Sequence, residues 1–243
     1  MKHLYPTIVG MATIASRRES LVDTLESLSG QADEIHVYYN DYEPDPMPHI
    51  EGLVQHHAPL GDLGDAAMMY RFTDDRAGGP AYFIPVPDDL IYEDDYVDVL
   101  VAGIERYERD AAVGFHGRIQ FSPAGSFYKD LPASGAVRCL GNVYEDTYVT
   151  ILSTAAAAWH SDRVIFSMSH FPQTYKGGNS RNMADVWFSK RLQEKKVPRI
   201  VLAHTEGWIR HTDKFDINTT IARLARDDDA VQTGVFNEVE WTL

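Results

Sequence analysis

The first apolar run, residues 7–13 (TIVGMAT), is short, rich in β-branched residues and apolar at successive positions, the pattern of a strand buried on both faces of a parallel sheet. From Ser16 the rhythm changes: Leu21, Val22, Leu25 and Leu28 recur at helical spacing, with Ser16 or Ser20 placed to cap the start and Gly30 to end it. Residues 33–39 (DEIHVYY) predict a second strand, closed by Asn40-Asp41 and by prolines 44, 46 and 48, and residues 50–54 a weaker third. The polar loop 61–65 (GDLGD) leads into a short helix over 66–70. After the Gly78-Gly79-Pro80 turn, residues 81–86 read as a central strand that runs directly into Asp88-Asp89, and Val97, Leu100, Val101 and Ile104 mark a helix over 96–107.

The second half is less regular. Residues 112–119 resemble a strand, 122–138 a long loop rich in Gly, Pro and Ser, and 148–159 one or two strands of small residues; 182–195 predict a helix and 197–203 a strand. Strands alternating with helices over the first 110 or so residues point to an α/β fold, a mainly parallel, doubly wound sheet flanked by helices. No internal repeat or linker divides the chain, so a single domain over 1–243 is expected.

Charge narrows the function classes. With 22 Lys+Arg against 36 Asp+Glu, the net charge of −14 repels polyanions, which disfavours general nucleic-acid binding. The single cysteine, Cys139, rules out an intramolecular disulfide and a multi-cysteine zinc site. The opening MKHLYPTIVG lacks the apolar stretch of a secretory signal, and no window approaches the roughly 20 apolar residues of a membrane span, so the expectation is a soluble, cytoplasmic protein.

In an open α/β sheet, ligands bind beyond the carboxyl ends of the strands. Three such ends are polar here: Thr13, Ser16 and Arg17 after the first strand, Asn40 and Asp41 after the second, Asp88 and Asp89 after the fourth. Each has a plain alternative, since Ser16 can cap a helix, Asn40-Asp41 can form a turn and acidic residues favour the first turn of a helix. The aspartate pair is the strongest of the three: hard carboxylate oxygens behind a buried strand suit Mg²⁺ or Mn²⁺ bridging to a diphosphate.

At YFIPVPDDLIY the sequence resembles the GT-A glycosyltransferases of the family 2 type, which carry a strand ending in an aspartate motif at this place. GDLGDAAMMYRF, VGFHGRI and NMADVWFSKRLQEKKVPRIVL extend the resemblance over most of the chain. It implies a GT-A fold, Rossmann-like in its nucleotide-binding part, with residues 1–110 taking a nucleotide-sugar, UDP-linked, and 111–243 taking the acceptor. It further implies Asp89 as metal ligand, Asp88 near the sugar or ribose, and Ala12, Thr13, Ser16, Arg17, Asn40, Asp41 and Asp62 on the donor side. His211, or His204 in its place, would complete the Mn²⁺ or Mg²⁺ shell. Similar proteins often carry three aspartates where this chain has Pro87-Asp88-Asp89, and a basic residue near Met68 or Met69; Arg17, Arg71 and Arg76 are the available substitutes for the latter.

An inverting transferase needs a base beside the acceptor hydroxyl. Asp185 matches the family's acidic base, and its alternative role is first-turn stabilisation of a helix. His116, Arg118 and Trp187 are the acceptor-side candidates, although Trp187 also fits a core position. The glycine-bearing stretch Lys176 to Arg181 suits closure over a bound donor. Phe127, Tyr128 and Lys129 either bind acceptor or pin the long loop to the core, and the charged run 223–229 reads as a solvated helix end. The acceptor stays open among glycan, protein and modified nucleobase. Two rivals stand beside the transferase: a nucleotidyltransferase, whose usual glycine-rich triphosphate loop is absent from ATIASRRES, and a nucleotide- or sugar-binding module of the same fold without activity.

Overall fold

A computed structural model of the chain describes residues 3–44, 46–73, 78–221, 223 and 228–243. The predicted first strand forms as β1 (Thr7–Thr13) and sits inside the sheet, paired in parallel with β2 (Glu34–Tyr39) on one side and β4 (Tyr82–Val86) on the other. Its pleat explains the unbroken apolar run. Ile8 points into one core layer and Val9 and Met11 into the other, so neither face admits a polar residue.

The Val9 layer is closed by α1 (Arg18–Leu28) and α2 (Tyr96–Arg106), which bury Leu21, Leu25 and Leu28, and Val97, Leu100 and Ile104, on the same cluster. Each such side chain contributes about 1.5–3 kcal/mol by leaving water. The Ile8 layer is closed by a 3₁₀ run, Gly64–Phe72, and by α3 (Ala184–Glu194), around Phe72, Phe83, Trp159 and Phe188. Gly10 is what lets the 3₁₀ run lie so close to β1: a Cβ there would fall 2.3 Å from the Met68 carbonyl oxygen.

Eight strands make one sheet in the order β3-β2-β1-β4-β11-β6-β14-β9. Here β3 is Leu53–His57, β6 Ala112–Gly114, β9 Thr147–Tyr148, β11 Ala157–His160 and β14 Arg199–Val201. The first four strands are mutually parallel; β11 runs antiparallel to β4 and β6, and β9 antiparallel to β14. The result is a mixed, mostly parallel α/β sheet with helices on both faces, as the alternation of elements predicts. Two short strands outside it matter for the site: β5 (Leu90–Tyr92) pairs antiparallel with β15 (Ile209–His211), drawing the C-terminal segment against Asp89.

Several expectations need correction. The third strand lies three residues later than read, because Gly52 takes a positive φ in the turn before it and the Pro-rich stretch continues up to Ile50 as irregular chain. Residues 66–70 belong to the longer 3₁₀ run and not to an α-helix. The predicted strand 112–119 breaks into β6 and β7 (Gly117–Arg118), which join different sheets: β7 pairs with β8 (Ala136–Val137) and β10 (Ile151–Leu152). Residues 148–159 accordingly hold parts of three strands. Neither Ser16 nor Ser20 caps α1: Ser16 lies in a 3₁₀ turn over Ala15–Arg17, and the Ser20 hydroxyl donates to the Arg17 carbonyl. Residues 224–227 of the charged run, and Arg76, lie outside the described residues. Among the described residues no helix is long and apolar enough to cross a membrane.

Candidate functional site

Chain order sends β2 and β3 to one side of β1 and then returns β4 to the other, so the carboxyl ends of β1 and β4 form a topological switch point. A cleft of about 370 Å³ opens there. It gathers Ala12 and Thr13 from β1, Arg17 from the following turn, Asn40 from the end of β2, Asp62 from the glycine loop and Asp88 from behind β4. Asp185, at the start of α3 and nearly a hundred residues further along the chain, lines the same cleft. A wider groove between Gly78–Pro80 and Arg191 and Lys195 lies at the amino end of β4, away from these strand ends.

Arg17 organises the inner wall. Its Nη1 sits 2.8 Å from Asp88 Oδ1 and 3.4 Å from Asp89 Oδ2, while Nη2 donates to the Thr219 carbonyl and Nε to the Thr219 hydroxyl. Burial opposes the guanidinium charge, but Asp88 and Asp89 outweigh it and hold the Arg17 pKa above its ordinary value. Asp88 is almost fully enclosed, at 1% exposure. Burial pushes its carboxyl up to about 6, with Arg17 opposing and Asp89 reinforcing the shift. Thr13 Oγ1 lies near enough to favour the charged form without reaching hydrogen-bonding geometry. Asp88 Oδ2 is buried with no hydrogen-bond partner.

Asp89 opens into an adjoining recess of about 200 Å³, which it shares with Ser16, Arg17, Lys214 and Asp216. Two carboxylates, one carrying an orphaned oxygen, offer hard oxygen ligands of the kind Mg²⁺ or Mn²⁺ takes. Among the described residues no three or more His, Cys, Asp or Glu side chains converge as a self-contained protein cage. His211 reaches the neighbourhood through β15 and stacks on Phe215 at 3.5 Å with Nδ1 unpartnered. His204 turns both ring nitrogens to backbone carbonyls, of Leu202 and Arg138, and packs edge-on to Phe115.

The opposite wall is built by α3. The Asp185 carboxylate accepts from Ser153 Oγ at 3.0 Å, from Thr154 N at 2.7 Å and from Thr154 Oγ1 at 2.6 Å. A carboxylate offers about four lone-pair sites, so about one remains free to face an incoming hydroxyl. Beside it stands Asp65, which sequence reasoning passed over although it closes the same GDLGD motif as Asp62. Asp65 Oδ2 accepts from the Ala184 amide at the start of α3, and Oδ1 is buried without a partner. Burial, reinforced by the charge of Asp185, pushes the Asp65 carboxyl up to about 7.

That shift carries a sign. A carboxyl whose pKa rises on folding contributes stability that is complete below its unfolded value, near 3.8, and lost as pH rises through about 7. Asp65→Asn keeps an acceptor for Ala184 and cannot ionise. In urea titrations the variant should therefore gain on the wild type between about pH 4 and pH 8, by on the order of 2–4 kcal/mol at the upper end. Parallel stability curves would show that Asp65 is not the titrating group.

The other predicted residues divide. Asn40 serves the cleft indirectly: its side chain accepts from Leu63 N and donates to the Gly64 carbonyl, pinning the 61–65 loop. Asp41 lies outside the cleft, its Oδ1 accepting from Ala15 N. Arg71 is turned to Glu34, on the far side of the 3₁₀ run. His116 accepts from Cys139 N, and burial lowers its pKa against the nearby Asp185 charge. Arg118 lies over the Phe127 ring at 4.1 Å and donates to the Phe127 carbonyl, so it fastens the long loop whose aromatic Phe127 is buried in the core. Trp187 is also a core residue, 7% exposed and against Tyr175.

Arg181 is the second residue missed as an individual, although its loop was singled out. The hairpin β12 (Thr174–Tyr175) and β13 (Gly178–Asn179) turns through Lys176 and Gly177, both with positive φ, and delivers Arg181 to the rim of the cleft. There it pairs with Asp62 at 2.8 Å. No family model and no curated protein matches the chain.

Proposed function

We propose that this protein is a GT-A-type glycosyltransferase that moves a sugar from a nucleotide-sugar, UDP-linked, to a hydroxyl acceptor with inversion at the anomeric carbon. The observation that carries the reading is the meeting of Asp185 with the Thr13, Arg17 and Asp88 strand ends in one cleft at the β1/β4 switch point. A nucleotide needs the strand ends, and an acceptor needs a base across from them.

In this reading the acceptor hydroxyl lies against the free lone pair of Asp185. As its oxygen attacks the anomeric carbon, the proton passes to Asp185 and the carbon–oxygen bond to the diphosphate breaks, leaving the nucleoside diphosphate as the second product. Ser153 and Thr154 hold the carboxylate in orientation, so little reorganisation accompanies the transfer. Asp88 and Asp89 would hold a Mg²⁺ or Mn²⁺ ion, which when bound neutralises charge on the leaving diphosphate. Arg17, 2.8 Å from Asp88 and 3.4 Å from Asp89, holds the two aspartates in place.

A panel of nucleotide-sugars with Mn²⁺, followed by thermal unfolding, tests the reading. A donor at a hundred times its Kd should add about 2.7 kcal/mol, a rise of about 5–10 °C for a chain of this length. Failure of every nucleotide-sugar to raise the midpoint would sink the proposal. A donor that binds but is never turned over or hydrolysed would favour the inactive binding module.

A further inference from the structure

Among the described residues that line the cleft, Asp62, Asp65, Asp88 and Asp185 are acidic, and the cations are Arg17 and Arg181. A nucleoside diphosphate entering this cleft brings further negative charge to a wall already rich in it. Arg17 is committed: all of its nitrogens are engaged by Asp88, Asp89 and Thr219, and withdrawing it would strand the buried Asp88 carboxylate. Met68, which lines the same cleft, brings no charge.

Arg181 is differently placed. Its one ion pair, Nη1 to Asp62 Oδ2, is exposed, with the two side chains 44% and 45% accessible, and such a pair contributes little in water. The backbone around it is nevertheless fixed. Arg181 N donates to Asn179 Oδ1, and Asn182, at φ +60°, accepts from Asp65 N through its side-chain oxygen. Gly64 lies at φ +61°, and a Cβ there would come within 2.5 Å of that oxygen and 3.3 Å of Asn182 N, so glycine suits the place where the two loops meet. Asp62 in turn is held by its own loop, Oδ1 accepting from Gly64 N. The result is a guanidinium on a hydrogen-bonded rim, tethered by a weak bond, with its fork free to exchange a carboxylate for a phosphate. A guanidinium fork matches phosphate as well as carboxylate geometry bidentately, and a diphosphate brings more negative charge than a single carboxylate.

We infer that Arg181 is the residue that takes the donor's diphosphate, and that its ion pair with Asp62 is the form in which it waits. The inference rests on the nucleotide-sugar reading of the cleft. Binding then releases Asp62 from its pair and joins the loop after β13 to the donor, so that the acceptor-side helix α3, which begins three residues later at Ala184, is coupled to donor occupancy.

Calorimetric titration of UDP and uridine into the wild type, Arg181→Gln and Arg181→Lys, each with Mn²⁺, tests this. Charge-assisted hydrogen bonds of this kind correspond to roughly 10–100-fold in affinity. Arg181→Gln should bind UDP about 30-fold more weakly than wild type and uridine within about 2-fold, with Arg181→Lys between, since lysine keeps the charge and loses the fork. Because Arg181 is half exposed, the glutamine variant should unfold within about 1 °C of wild type. Equal loss of UDP and uridine would mean that Arg181 only shapes the loop, and an unchanged UDP affinity would equally overturn the inference while leaving the donor reading intact. Absence of UDP binding by the wild type would overturn the UDP reading itself, and this inference with it.

Discussion

Asp185→Asn should lower turnover by about a thousandfold while changing donor affinity by no more than about threefold. The size follows from the usual contribution of a positioned general base, roughly 10²–10⁴, and the selectivity from the site's geometry. Asparagine retains an oxygen for the Thr154 amide and hydroxyl, so α3 and the 153–154 turn keep their places, but the amide cannot take a proton from the acceptor. The measurement is steady-state kinetics beside direct donor titration. Turnover within a few-fold of wild type would remove Asp185 from the chemistry and leave it as a tie between α3 and the turn before β11.

The second large effect belongs to Arg17. Arg17→Met removes the cation from a carboxylate that is 1% exposed, and breaking one side of a buried pair costs about 3–5 kcal/mol. At that size the thermal midpoint should fall by about 6–20 °C at neutral pH. The loss should shrink in acid, because the Asp88 carboxyl, already pushed up to about 6, takes a proton there and leaves no stranded charge. Adding Asp88→Asn to the arginine variant should restore much of the stability at neutral pH for the same reason. If the penalty were equal at about pH 5 and pH 7.5, Arg17 would be acting through its packing and its bonds to Thr219.

The two variants address opposite walls of one cleft, and the walls differ in kind. Arg17, Asp88 and Asp89 follow within a few residues on strands buried on both faces, so their positions are inherited from the centre of the sheet. Asp185 and Arg181 hang on the 61–65 loop through Asp65, Asp62 and Asn182. The glycine loop is therefore the joint between the two walls, and substitutions within it are expected to disturb both.

Much of this was legible in the chain. Periodicity alone located β1, β2, β4, α1, α2 and α3 to within a residue or two, because each buries a regular face and the period of that face is local information. The strand-end rule then picked out Thr13, Arg17, Asn40 and Asp88, and Asp185 followed from the resemblance. The weak points were those where burial comes from distant partners. β6 and β7 read as one strand because Phe115 and His116 alone stand between them, and only pairing with β11 and β14 on one hand and β8 and β10 on the other separates them. For His116, Arg118 and Trp187, read as acceptor-side residues, the chain could not show their neighbours: Arg118 lies over Phe127, Trp187 against Tyr175 and His116 beside the Cys139 amide.

What the sequence determined by itself is the set of elements and the polar residues at their ends, since these depend on side chains a few positions apart. The tertiary structure decided which of those ends share a cleft, and it did so through the return of β4 to the far side of β1. It also decided that the charge between Asp88 and Asp89 is met by Arg17, that Asp65 stands beside Asp185, and that Arg181 pairs with Asp62 across 119 residues of chain. Such pairings depend on distances in space that no local period encodes, and burial then sets how strongly each charge is felt.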